Sequence, residues 1–253
     1  MNKKQKKIKL LISILVFIFF VSLSIYIYFK NYYIDLKHVD TNKIITNKDI
    51  DEPTVEPNNN LPNNYINKIP AYRNQYHNKY IVANLKVLNL DILVPRAKNN
   101  EYYLDHDIYN KYNFLGNPFI DFRNQDLLNN RQINIYGHNT EYTKYYKDLP
   151  FSNLEKYRNK DIYNNYKDVI LNIEEKQLNY KIIAVKIINQ YEDEHMNLVY
   201  NTNNDWLNHV NSLLSNTLYS DNVEISSNDH LLVLQACTYK PKNSYILIIC
   251  KRE

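Results

Sequence analysis

The chain has 253 residues, 31 Lys and Arg against 27 Asp and Glu for a net charge of +4, and only two glycines and two cysteines. Residues 1–30 hold six lysines and no acid, which leaves residues 31–253 with 25 basic and 27 acidic side chains, a net −2. A near-neutral body with scattered charge excludes a nucleic-acid surface, which needs clustered Lys and Arg to neutralise phosphates.

Lys3, Lys4, Lys6, Lys7 and Lys9 form a basic tail, residues 1–9, ahead of an uncharged run from Leu10 to Phe29. Such a run matches the roughly 20 apolar residues needed to cross a bilayer. It is longer than a cleaved signal core and ends in Tyr26-Ile27-Tyr28-Phe29-Lys30 rather than in small residues. The expectation is a single-pass membrane protein anchored in the lipid bilayer through 10–29. The positive-inside tendency then makes the N-terminus cytoplasmic and the C-terminal bulk of the chain extracellular. Residues 30–64, with Glu52-Pro53-Thr54-Val55-Glu56-Pro57-Asn58-Asn59-Asn60, read as a flexible tether. Residues 65–253 are long enough for one domain with its own core.

Strand signals dominate that domain. Candidates are Tyr80–Leu85, Leu90–Pro95, Phe119–Phe122, Gln132–Tyr136, Asp168–Ile173, Tyr180–Ile188, His230–Ala236 and Tyr245–Cys250. Several are continuous apolar runs, which suit strands covered on both faces or a closed barrel plugged by helices. Helices fit Tyr65–Asn78, Ser152–Lys160 and Asp205–Ser215. In the last, Trp206, Leu207, Val210, Leu213 and Leu214 form an apolar stripe, and Asn203 or Asn204 is the expected cap.

Two segments point to chemistry. Asn134-Ile135-Tyr136-Gly137-His138-Asn139 places a histidine straight after an apolar strand, and Leu231-Leu232-Val233-Leu234-Gln235-Ala236-Cys237 ends another on a cysteine. A thiol with a pKa near 8.5 is mostly protonated at neutral pH, so a nucleophilic cysteine needs a base, commonly a histidine. Parallel neighbouring strands would bring His138 and Cys237 to one rim, and Gly137 would let the backbone turn there. The plainer alternatives are a space-filling cysteine and a rim histidine. A Cys237–Cys250 disulfide is the weaker reading: a hairpin would set Cys250 opposite about Leu232, roughly 16 Å from Cys237 and beyond the reach of about 7 Å. His38, His77, His106, His195, His209 and His230 show no zinc-type spacing, and glycine at only 116 and 137 rules out a phosphate loop. No metal and no cofactor is expected.

From about Tyr65 onward the chain resembles the class B sortases, membrane-anchored cysteine transpeptidases of Gram-positive bacteria. The resemblance runs in order through Tyr102-Tyr103-Leu104-Asp105-His106, Gly116-Asn117-Pro118-Phe119-Ile120-Asp121-Phe122-Arg123-Asn124 and Ile133–Asn139. It continues through Asp148-Leu149 and a following Tyr-rich helix, the Trp206 helix, and Leu231–Cys237. It implies a mainly β fold, a closed eight-stranded sortase-type β-barrel with added N-terminal and inter-strand helices. By the same resemblance Cys237 is the nucleophile and His138 the catalytic histidine. The implied reaction cleaves a C-terminal sorting signal of a secreted protein at Thr. The acyl group passes through a Cys thioester to an amine of a peptidoglycan precursor or a pilin.

The sequence departs from the family pattern in two places. Gln235-Ala236 precede the cysteine where the family commonly has hydroxyl residues. The last strand begins Asn243-Ser244-Tyr245, where the family carries an arginine. Tyr245 and Ser244 are the candidate oxyanion or substrate contacts in its place, and weak activity is the consequence expected. The alternatives are a catalytically impaired sortase-fold protein that binds peptides at the surface, and a hydrolytic cysteine peptidase.

Overall fold

The computed structural model describes residues 19–27, 65–140 and 149–253. The chain divides into two units, Met1–Asp40 and Thr41–Glu253. In the first, residues 19–27 are helical. Among the described residues no helix is long and apolar enough to cross a membrane, since the hydrocarbon core is about 30 Å thick. This overturns the expected single-pass placement, with its bilayer contact and its extracellular assignment of the catalytic domain. The tail 1–9, residues 10–18 and 28–29 of the apolar run, and the tether 30–64 lie outside the described residues.

Among its described residues the second unit has nine strands: Ile81–Val87 (β1), Leu90–Pro95 (β2), Phe119–Ile120 (β3), Gln132–Gly137 (β4), Asp168–Ile173 (β5), Gln177–Asn189 (β6), Tyr219–Ser220 (β7), Leu231–Thr238 (β8) and Ser244–Arg252 (β9). Eight of them run in the order β2-β1-β5-β6-β9-β8-β4-β3, and β7 pairs with β6 outside that path. The path curls into a nearly closed barrel. Its two end strands are tied by Asn117 Nδ2, which donates to the Leu93 carbonyl at 3.1 Å. All pairings along the path are antiparallel except β4 with β8, which is parallel.

The continuous apolar character of β8 follows from its position. Leu232, Leu234 and Ala236 face the barrel core with Ile133, Ile135, Ile246 and Ile248. Leu231 and Val233 face outward into a second cluster with Trp206, Val210 and Leu213. Those three lie on the helix Asn203–Leu214 (α3), where each buried aliphatic side chain is worth about 1.5–3 kcal/mol relative to exposure. Trp206 is fully buried, a packing residue as its spacing suggests.

Several boundaries differ from the sequence reading. The first helix is Ile69–Gln75 (α1), with proline in its first turn, the position where a missing N–H costs nothing. Ser152–Lys160 is instead a 3₁₀ helix, Pro150–Arg158, followed by a short α-helix, Lys160–Asn165 (α2), capped by the Asn159 side chain. The cap of α3 is Thr202, not an asparagine: its hydroxyl accepts from Asp205 N while Asp205 accepts from Thr202 N, a capping box. β3 stops at Ile120 because the Asp121 carboxylate accepts from the Arg123 backbone N–H and turns the chain. Asp148, part of the sequence resemblance, lies outside the described residues.

Candidate active site

The parallel pairing of β4 and β8 sets Gly137 opposite Ala236, so His138 and Cys237 are the next residues on adjacent strands. Side chains alternate along a strand. Ala236 and Ile135 point into the barrel, hence Cys237 and His138 both point outward at one rim. The two residues lie far apart in sequence and meet because neighbouring parallel strands end at the same edge.

His138 Nε2 lies 2.8 Å from the Leu104 carbonyl. A carbonyl only accepts, so Nε2 carries the proton and Nδ1 keeps the lone pair that can take one. Leu104 closes the 3₁₀ turn Tyr102–Leu104, and Gly116 shapes its surroundings. Gly116 has φ +60°, and a Cβ there would lie 2.2 Å from the Tyr103 oxygen and 2.7 Å from that of Leu104. Only glycine allows this approach, so Gly116 sustains the carbonyl that orients His138.

Cys237 is half-buried and unpaired. Burial pushes its thiol pKa up, so at neutral pH it is protonated and needs a base to become nucleophilic. Cys250 pairs with Leu232, the neighbour expected from hairpin geometry, and is fully buried in the barrel core on the opposite side of the sheet. Asn139, immediately after His138, donates from Nδ2 to the Cys237 carbonyl at 2.8 Å, and the Tyr239 hydroxyl donates to the Asn139 carbonyl at 3.1 Å. These bonds lock the two rims in register. The sequence marks Asn139 only as part of a motif and contains no signal for this contact.

Tyr245 is the direct cross-strand partner of Cys237, which places both side chains on one face. Its hydroxyl pKa is raised, first by burial and then by the charge that Cys237 carries once ionised. Ser244 pairs with Thr238; it is buried on the other face, and its hydroxyl donates to the Lys242 carbonyl at 3.4 Å. The structure therefore brings Tyr245, and not Ser244, to the cysteine. The arginine nearest in hydrogen-bonding terms is Arg158, which the sequence does not single out. Its Nη2 donates to Thr238 Oγ1 at 2.8 Å and to the Lys240 carbonyl, and its Nε pairs with Glu155 at 2.6 Å. It braces the β8–β9 connection from the Ser244 face. Arg252 sits at the far end of β9, where Nη1 donates to the Leu128 carbonyl at 2.8 Å.

Gly137 has a role other than turning the chain. Its backbone does not enter the left-handed region, where Gly116 is the only glycine. A Cβ on Gly137 would lie 2.5 Å from the ring of Phe151, which is fully buried. Gly137→Ala is expected to cost about 1–3 kcal/mol by overpacking, read as a lower denaturation midpoint with unchanged slope. Full stability would show that Phe151 can move aside.

No family model matches the chain. It is 25% identical over 163 residues to Sortase B of Listeria monocytogenes, a match that spans 63% of this chain and 63% of that protein's length. The crystal structure of Clostridium perfringens sortase B superimposes with a TM-score of 0.66 at 25% identity, covering 73% of this chain and 98% of that one. A Staphylococcus aureus sortase B–substrate complex gives a TM-score of 0.65 at 19% identity, covering 74% of this chain and 84% of that one. The barrel is a sortase fold. In sequence and in fold the chain is similar to the class B sortases.

Proposed function

We propose that the chain is a cysteine transpeptidase that cleaves a C-terminal sorting signal at Thr and passes the acyl group to an amine. One observation carries this reading: the parallel register that sets His138 beside Cys237 on one outward face at one rim. His138 Nδ1 takes the thiol proton, and the sulfur attacks the Thr carbonyl carbon. The amine of the released tail leaves with a proton from His138, and a Cys237 thioester remains. An incoming amine, from a peptidoglycan precursor or a pilin, loses its proton to His138 and displaces the sulfur. Tyr245, facing Cys237 across the strands, contacts the substrate or the developing oxyanion.

A second reading, an impaired peptide-binding protein, is favoured by one feature: β9 sets Tyr245 and Leu247, not an arginine, opposite Cys237 and Gln235. One experiment decides between them. The full chain is incubated with a library of Asn-Pro-x-Thr-type pentapeptides, with and without an added amine, and followed by intact mass and product analysis. The expected result is a thioester adduct on the wild type, absent from Cys237→Ala, and a transfer product with the amine. No adduct on the wild type, or one persisting in Cys237→Ala, overturns the transpeptidase assignment. Free acid as the sole product, even with amine present, makes the chain a hydrolase.

A further inference from the structure

Behind the rim, the outward face of β4 and β8 is polar and enclosed. Gln132 Nε2 and Asn134 Nδ2 both donate to the His195 carbonyl, at 2.8 and 3.2 Å. These bonds hold the 3₁₀ turn Glu194–Met196 over the strands, where His195 is only 3% exposed. The ring nitrogen Nε2 of His195 lies 2.6 Å from Gln235 Oε1. An amide oxygen only accepts, so this nitrogen carries a proton. Burial pulls the imidazole pKa down, and the ring is neutral at pH 7.

Gln235 stands two residues before Cys237 on the same face of β8, about 6.6 Å along the strand. Its oxygen is held by a clamped, buried ring, so the carboxamide cannot rotate freely and its NH₂ arm has a fixed direction. That arm donates to no described residue and, unlike the buried, unpartnered Nδ1 of His195, keeps access to solvent. Toward the start of β8 the face is closed by Val233 and Trp206, and Leu247 stands beside Gln235 on β9. Gln235 keeps 9% exposure, and the next side chain on its face toward the end of β8 is Cys237.

We propose that the Gln235 amide is the side-chain donor for the oxyanion that forms at Cys237, and that His195 is its positioning residue. The inference rests on the acyl-transfer reading above. As the sulfur electron pair forms the C–S bond, the carbonyl π pair moves onto oxygen, and a Gln235 N–H donates to that oxygen. When the carbonyl re-forms, the bond to the leaving group breaks and its electron pair departs with that group. A donor fixed in advance stabilises the developing charge without reorganising, and the unusual glutamine ahead of the cysteine acquires a function.

Two reactions of the full-length protein separate this role from a structural one. Acetylation by p-nitrophenyl acetate passes through an oxyanion, whereas alkylation by iodoacetamide displaces iodide at saturated carbon and forms none. The expected result is that Gln235→Met, close in volume, lowers the ratio of acetylation to alkylation at Cys237 about 100- to 1,000-fold. His195→Leu lowers it less, and His195→Gln, which keeps an N–H donor, restores part of the loss. An unchanged ratio in Gln235→Met overturns the proposal, as does a wild-type ratio no higher than that of free cysteine. If the ratio falls as expected but no sorting peptide is ever transferred, the transpeptidase reading fails and the oxyanion role of Gln235 stands.

Discussion

Replacing His138 with alanine is expected to lower acylation by a sorting peptide about 100- to 10,000-fold, the range of a positioned general base, while the barrel stays folded. His138 is half-exposed and its hydrogen bond to Leu104 belongs to the rim rather than to the core. Its loss therefore removes a proton acceptor without opening a cavity. The effect should be larger here than at an activated thiol, because burial holds the Cys237 proton more tightly and no cation on β9 stands opposite to favour the thiolate. Single-turnover acylation followed by mass spectrometry, with the thermal midpoint as a check on folding, reads the result. A loss smaller than tenfold in a folded variant would show that some other group takes the proton.

Raising the pH above about 10 is expected to unfold the domain cooperatively. Burial is the leading cause that raises the phenol pKa of Tyr103, Tyr136, Tyr157, Tyr163, Tyr180 and Tyr200 beyond the ordinary tyrosine range, and that of Tyr65 to about 12. In the unfolded chain these groups ionise near pH 10. Above that pH the native state holds protons that the unfolded state has released, so stability falls as pH rises. The contribution is fully present below pH 10 and is lost as pH climbs through the native values. Ultraviolet titration of phenolate should show these tyrosines ionising together with the loss of tertiary circular dichroism. Phenolate appearing stepwise in a still-folded protein would contradict the assignment.

The sequence is most legible where periodicity and burial agree. β2 and β5 match their expected limits, and the continuous apolar run of β8 correctly implies cover on both faces, since Leu232 and Leu234 meet the barrel core while Leu231 and Val233 meet α3. The idea that His138 and Cys237 end parallel neighbours rests on both residues being C-terminal to apolar strands, and the β4–β8 register has that form. Contacts made by small polar groups across long separations are not legible. Thr202 outcompetes Asn203 as a cap because Asp205 can answer it, β7 is two residues long, and the clamp of His195 on Gln235 joins segments with no shared pattern. The role of Gly137 is misread for the same reason, because the constraint comes from Phe151 and not from the local backbone. The uncharged run 10–29 suggests a membrane-spanning helix, whereas among the described residues no helix is long and apolar enough to cross a membrane.

The parallel pairing of β4 with β8 also sets the order in which the protein can mature. Asn139 and the Cys237 carbonyl are joined across 98 residues, whereas β8 and β9 meet through a short connection and can zip locally. The entropy of closing a loop grows with its length, and contacts of large sequence separation slow folding. The β4 rim should therefore dock against a β8–β9 hairpin already formed, so that the thiol spends the early life of the chain without its base. If the proposed function holds, a partly folded chain is chemically quiet, and acyl transfer is a readout of completed folding.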